Sequence, residues 1–482
     1  MTSLLRSILS VSSGKIAGIL ISSIFTPVLV RLITQAQYGL YASVLAAFSI
    51  VALISKGGLF DATRKTIAEH ASQSDEVSSI LSVSLLLSTV YAILIMSLML
   101  FTLRIGFIPS TYVPYILVLT GAILFENIFT IVRGTFYGLK KESIAEVLNI
   151  SRRFVYLVSG LALAYVGYDV LGVFTGYMVS FFVLCILGLI ALMKHSSYRL
   201  PKVRDIRKYG RKIASFGGYQ LIGGLSAVLL YRADILLVGY FQGSTSTALY
   251  QSAIVPAEMI WFLPSAIQLA FLQHTATLWS DGKIDEINEN IKIGVKYAVL
   301  SLTLFGVGLF GLTDPFLHVY FGPEYASAST TLQVLIFGTF FFGITRVVVP
   351  VLQATGWVRH TELITVGALF LNLLLNLILI PRYGIIGAGV GTGISYISIF
   401  IGNTAVWKRS PFELVSLIWV CKLVTVQGVF AVLFLTTVSL LNFSPLISLL
   451  LFPPVGLLMF LAINMIAGYV PTERVLPTVS WW

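Results

Sequence analysis

Long apolar runs separated by short polar clusters recur along the whole chain, and their spacing predicts how it folds. Reading each run between charges, glycines or prolines predicts helices near 10–32, 38–58, 78–102, 113–137, 147–166 and 170–193. A second set follows near 214–239, 245–273, 294–320, 328–353, 361–380 and 384–406, and a last pair near 413–440 and 446–468. Runs of roughly 20 apolar residues are long enough to cross a hydrocarbon core about 30 Å thick. The pattern predicts an all-α polytopic membrane protein with about 14 transmembrane helices. Thr277–Lys296 interrupts it with acids, lysines and spaced apolar residues, which fits a short interfacial helix or a solvated loop.

The polar residues between the runs are sided. Arg6 and Lys15, Lys56, Arg64 and Lys65, Lys140, Lys141, Arg152 and Arg153 fall on one side when alternate loops are grouped. So do the basic stretch Lys194–Lys212, Lys283, Lys292, Lys296, Arg359, Lys408, Arg409 and Arg474, whereas Arg31, Arg104 and Arg382 fall on the other. Basic loops stay inside, so both termini are expected in the cytoplasm of a multi-pass cell-membrane protein. Met1–Ser13 is uncharged apart from Arg6 and no small-residue cleavage site follows, so no removable signal peptide is expected.

The stretch Lys194–Lys212 divides the runs into halves that repeat. Gly138-Leu-Lys-Lys-Glu-Ser-Ile-Ala-Glu matches Gly356-Trp-Val-Arg-His-Thr-Glu-Leu-Ile, Leu161–Gly167 foreshadows Leu377–Gly384, and Tyr38-Gly-Leu-Tyr echoes Thr247-Ala-Leu-Tyr. An even number of spans per half makes the repeats parallel. The expected organisation is a six-helix lobe over 1–193, a basic cytoplasmic linker over 194–213, a second six-helix lobe over 214–407, and two further helices with a tail over 408–482.

Composition adds to this picture. The 482 residues are 57% hydrophobic and 11% charged, with a mean hydropathy of +0.93; soluble chains carry about a quarter charged residues. The net charge of +11 sits in short loops between apolar spans, which speaks for membrane orientation and anionic lipid rather than nucleic acid. Cys185 and Cys421 lie inside apolar runs, and the five histidines show no ligand spacing. No catalytic residue, metal or cofactor is expected. Gly387, Gly389, Gly391 and Gly393 lack dinucleotide-loop spacing and form small-xxx-small pairs that favour close helix packing.

Charges inside the spans are the candidate chemistry, because each costs roughly 2.5–3.5 kcal/mol at mid-span and normally faces a wet cavity. Arg133, Arg232, Arg346 and Lys422 are such residues, with Arg31 near a span end, and Glu126, Asn127 and Asp234 are the acidic and amide counterparts. Glu126 and Arg133, seven apart, share a helix face; Arg232 and Asp234, two apart, cannot pair along their own helix. Thr365, Asn372 and Asn376 form a polar stripe that could contact sugar hydroxyls or bridge helices. Arg64 and Lys56 flank Asp61 at a helix end. Arg133 and Lys422 could also snorkel to the interface.

Four motifs in order carry a resemblance: Arg31-Leu-Ile-Thr-Gln-Ala-Gln-Tyr-Gly-Leu-Tyr41; Asp234–Phe241 followed by Leu249-Tyr-Gln-Ser-Ala253; Phe321-Gly-Pro-Glu-Tyr325; and Asn372–Ser395 with its Pro-Arg-Tyr-Gly corner. Together they resemble the polysaccharide exporters of the multidrug/oligosaccharidyl-lipid/polysaccharide superfamily, the Wzx-like flippases and their archaeal N-glycosylation relatives. The resemblance implies translocation of a polyprenyl- or dolichyl-linked oligosaccharide, held through its phosphate or pyrophosphate, to the outer leaflet by alternating access. It implies a substrate cavity drawn from Arg31, Arg64, Arg133, Arg232, Arg346, Asn372 and Asn376. Glu126 or Asp234 would serve in pairing or in coupling to H+ or Na+. The rival within the superfamily is a multidrug exporter, which would favour acidic cavity residues. A membrane-embedded glycosyltransferase or ligase would need a sizeable outer loop with carboxylates, and the sequence offers none.

Overall fold

The computed structural model describes residues 18, 20–195, 199–413 and 416–470. Arg6, Lys15, Arg474, the start of the first predicted run and residues 196–198 of the basic linker lie outside them. The described chain is helix throughout, with no strand, and ten helical stretches are long and apolar enough to cross a membrane. Inside a bilayer the helix is the natural solution, since it satisfies each backbone N–H and C=O within its own segment.

The helices are α1 Leu20–Leu32, α2 Gln35–Lys56, α3 Leu59–Glu69, α4 Ser74–Arg104, α5 Val113–Gly138, α6 Glu142–Leu163 and α7 Asp169–Met193. Then come α8 Arg211–Met259, α9 Phe262–Ser280, α10 Ile284–Gly311, α11 Thr313–Tyr320, α12 Ser329–Ala354, α13 Val358–Trp407, α14 Leu417–Leu440 and α15 Pro445–Ile466. Two of the longest are broken by glycine: α8 at Gly243 (φ 80°) and α13 at Gly384 (φ 57°). The α6–α7 corner turns through Gly167 (φ 100°) in the same manner. Gly138 is the last helical residue of α5, with the left-handed turn following at Lys140 (φ 57°), whereas Gly356 itself takes the left-handed turn (φ 96°) after α12 has ended at Ala354.

Local signals place the helix ends. Thr34 caps α2, accepting from the Gln37 N–H while the Gln37 side chain accepts from the Thr34 N–H. Gly57 closes α2 in the left-handed region and donates to the Ile54 carbonyl. The interfacial helix allowed for Thr277–Lys296 is absent as a separate element. Its residues form the end of α9, a turn at Asp281–Lys283 and the start of α10, because the lysines and acids lie on the exposed ends of two ordinary helices.

By packing, the chain divides into two compact units, 1–239 with 243–248 and 240–242 with 249–482. In the first, α5 lies against α3, α4, α6 and α7, and Phe129, Phe136, Phe181 and Leu184 fill the space between them. In the second, α12 packs along α13, with Gly338 set against the backbone of Gly393. The glycine row on α13 is thus a packing surface. Helices α14 and α15 pack together and onto α10 through Phe430, Phe434 and Phe460.

Candidate functional site

The charged interior of the first unit gathers around the α2–α3 break. Lys56, the last residue of α2, meets Glu126 of α5 with Nζ 2.5 Å from Oε1. Tyr177 of α7 donates to the other carboxylate oxygen at 3.0 Å. One α5 turn pair further on, Arg133 reaches Glu146 of α6 at 3.2 Å, and the Tyr137 hydroxyl donates to the same oxygen at 2.5 Å. In both pairs the carboxylate lies beneath and the cation above: Glu126 and Glu146 are 5% and 7% exposed, Lys56 and Arg133 28% and 23%. Arg64 pairs with Asp61 at 3.0 Å, and the Arg64 and Arg133 guanidiniums both lie over the Phe60 ring, at 5.9 and 5.7 Å.

Glu126 and Arg133 share a face of α5, as their spacing predicts, but each takes its ion partner from a different helix. Asn127 beside them accepts from the Ser55 hydroxyl and donates to the Ser55 carbonyl, fastening α5 to α2.

Two further arginines complete the cluster. Arg152 and Arg153 sit about 15 Å along α6 from its start at Glu142. They therefore stand within α6 rather than in a loop, and the acidic Glu142 in its first turn marks where the helix starts. Arg152 lies over the Phe181 ring at 4.6 Å, within electrostatic reach of Arg133, Arg153, Glu126 and Tyr177. Arg153 is within reach of Arg133 and Glu146, with its Nε unpartnered. Among the described residues neither has a carboxylate within ion-pair distance. Four cations thus face two carboxylates. A line of hydroxyls extends the site, with Tyr41 and Tyr156 hydrogen-bonded at 3.1 Å and Arg232 within electrostatic reach of Tyr41.

The other expected residues are dispersed. Arg31 is exposed at the end of α1 and donates to the Pro27 carbonyl. Asp234 is fully buried, accepting from the Ile235 N–H at 2.8 Å. In the second unit, Arg346 lies over Trp261 at 4.6 Å and Phe342 at 5.2 Å and donates to Gln268 at 3.0 Å. Asn372 and Asn376 are 0% exposed. Asn376 donates to Asn372 at 3.0 Å, Asn372 to the Thr392 hydroxyl at 3.2 Å, and the Tyr250 hydroxyl meets the same Thr392 oxygen at 3.3 Å. This ladder bridges helices and engages the amide nitrogens of both asparagines, while Asn376 Oδ1 is left without a partner. Asn372→Leu should lower stability by about 1 kcal/mol, read as a lower melting temperature in detergent, with transport per folded molecule unchanged. A fall in transport at unchanged stability would contradict the packing role. Lys422 lines an apolar groove of about 630 Å³ between α14 and α15, with Cys421, Thr425 and Tyr469.

The comparisons with known proteins agree with the motifs. A family model described as polysaccharide biosynthesis protein matches residues 4–268, and a second, MatE, matches residues 221–378. The chain is 24% identical over 428 residues to an uncharacterized membrane protein, MJ1068, of Methanocaldococcus jannaschii, covering 83% of each. It is 22% identical over 367 residues to the "probable low-salt glycan biosynthesis flippase Agl15" of Haloferax volcanii, covering 76% of this chain and 75% of that one. Among solved structures, the lipid II flippase MurJ in an inward closed conformation superposes with a TM-score of 0.76 at 14% identity, over 98% of this chain and all of that one. At that identity the likeness speaks for the fold alone.

Proposed function

Since the chain belongs to the polysaccharide biosynthesis protein family, we propose that it is a flippase. It moves a polyprenyl-(pyro)phosphate-linked oligosaccharide from the cytoplasmic to the outer leaflet, by alternating access, for surface polysaccharide or glycoprotein assembly. The observation that carries this reading is the excess of cations over carboxylates inside the first unit. A charge held in a membrane-spanning bundle without a counterion costs several kcal/mol, and an anionic ligand would remove that cost. Guanidiniums suit phosphate because their planar fork donates two hydrogen bonds to it. Arg64 and Arg232 flank the same unit, and Arg346 would offer a cation in the second.

The proposal includes a topology. Taking each glycine-broken stretch as two spans, together with α1, gives the fourteen expected, with both termini cytoplasmic. The end of α5 and the start of α6 then lie at the cytoplasmic face, so the cationic cluster stands where a carrier would enter from the inner leaflet. A six-helix lobe on either side of the basic linker over 194–213 belongs to the same reading. The rival multidrug exporter is less supported: the MatE match spans under half the chain, and a cationic site repels cationic drugs. The protein would act as a transporter rather than an enzyme.

Deleting the gene should cause charged lipid-linked glycan to accumulate while finished surface glycan disappears, both read by mass spectrometry. Normal carrier levels with intact surface glycan, in a strain without a second flippase, would overturn the proposal.

A further inference from the structure

Helix α14 has two faces. Leu423, Phe430 and Phe434 lie in the core shared with α10 and α15, and Gln427 donates to Asn464 of α15 at 2.8 Å, which fixes the rotation of α14. Ile418, Cys421, Lys422, Thr425 and Val426, spaced three or four residues apart, form the other face. With Ala467 and Tyr469 just beyond α15 they line the groove of about 630 Å³, a volume within the range of roughly 300–1,000 Å³ usual for small-ligand sites. Trp419 and Tyr469 meet edge to face, ring centroids 6.5 Å apart. Lys422 is the one charged residue of that lining. It is exposed and, among the described residues, has no carboxylate within ion-pair distance.

We propose that this groove binds a glycerophospholipid with a singly charged phosphodiester headgroup, its phosphate on Lys422 and an acyl chain along Ile418 and Val426. The site goes beyond the flippase reading and does not depend on it. Depth and charge argue for this occupant. Lys422 stands five residues past the start of α14 at Leu417, about 8 Å along the helix. An ammonium at that depth is costly among acyl chains. Its flexible stem can carry it to the phosphate layer, where an anion removes the cost. Trp and Tyr side chains favour that same level of a bilayer. A single ammonium matches a single negative charge, whereas a diphosphate-linked carrier brings more. The surrounding bilayer also supplies phospholipid in large excess, so even a modest affinity keeps the groove filled. A resident lipid fills the gap between α14 and the end of α15 and so braces the pair.

The test uses the full chain, stripped of lipid in detergent and offered equal amounts of phosphatidylglycerol and phosphatidylcholine. Native mass spectrometry should find the first retained about fivefold over the second. That is the ratio that about 1 kcal/mol produces, the usual worth of one lysine at an anionic surface. Lys422→Gln should erase the preference and Lys422→Arg should keep it. Cys421 gives a second readout in the unaltered protein, because it is exposed whereas Cys185 is buried. Phosphatidylglycerol should slow its labelling by N-ethylmaleimide more than phosphatidylcholine does. Equal retention of the two lipids, or a preference that survives Lys422→Gln, overturns the proposal. Farnesyl diphosphate that displaces phosphatidylglycerol and shields Cys421 would give the groove to an isoprenoid carrier instead. Lipid binding that appears only after removal of residues 471–482 would give it to the chain's own tail. Either result also overturns the proposal.

Discussion

Arg152→Ala is expected to cut transport of lipid-linked glycan by about 10- to 100-fold at unchanged protein level, the equivalent of losing charge-assisted contacts worth about 1.5–3 kcal/mol. The expectation follows from its surroundings. Its guanidinium lies over Phe181 and has no carboxylate in ion-pair distance among the described residues. Removing it therefore strands no buried anion and relieves a desolvated charge. Thermal stability in detergent should stay level or rise while transport falls, a combination that a structural arginine would not give. Arg152→Lys should recover only part of the activity, because an ammonium keeps the charge but not the planar fork. Flipping of a fluorescent isoprenoid-linked sugar in proteoliposomes, beside a melting curve, decides the matter. Full transport, or lost transport with a sharply lowered melting temperature, would remove Arg152 from the site.

The second large effect concerns the break between α2 and α3. Gly57 and Gly58 both take positive φ, 55° and 65°, and a Cβ on Gly58 would stand 2.1 Å from the Gly217 carbonyl oxygen. Gly58→Val should combine about 1–2 kcal/mol for the left-handed backbone with about 1–3 kcal/mol for overpacking. Little folded protein should reach the membrane. Two companions separate the causes. Gly106 also has positive φ, 69°, but nothing lies within 4 Å of its Cβ position, so Gly106→Ala should cost only the backbone term. Gly217 has ordinary helical geometry, yet its Cβ would meet the Gly57 oxygen at 2.5 Å, so Gly217→Val carries the steric term alone. Size-exclusion profiles of the three, expressed side by side, should rank Gly58→Val worst and Gly106→Ala mildest. A Gly58→Val protein as well behaved as Gly106→Ala would show that the two backbones do not need this approach. The break matters to the site because Lys56 and Phe60 stand on either side of it.

Much of the architecture was legible in the sequence, because apolar runs and glycines report directly on bilayer span and backbone turn. The corners at Gly167 and Gly243 fall between predicted runs, Gly384 stands at the first residue of one, and Glu126 and Arg133 share the face that a seven-residue spacing implies. Their ion partners were not legible. Whether Glu126 meets Arg133 or Lys56 depends on how α5 is rotated against α2 and α6, and no local pattern encodes that. Arg152 and Arg153 were misplaced for a related reason. Two adjacent arginines near a span end look the same in hydropathy whether they stand in a loop or line an interior. The asparagines of α13 are visible in the sequence as a stripe, but only the structure shows that their amide nitrogens donate to the Thr392 hydroxyl and to Asn372 Oδ1.

At the α6–α7 corner and at the breaks in α8 and α13, one helix hands over to the next through a single glycine in non-helical conformation. An inserted epitope or protease site at Gly167, Gly243 or Gly384 would have to open that tight turn before it could be displayed. Sidedness of the chain is better probed where the backbone leaves the helix, at residues 105–109 and 441–444.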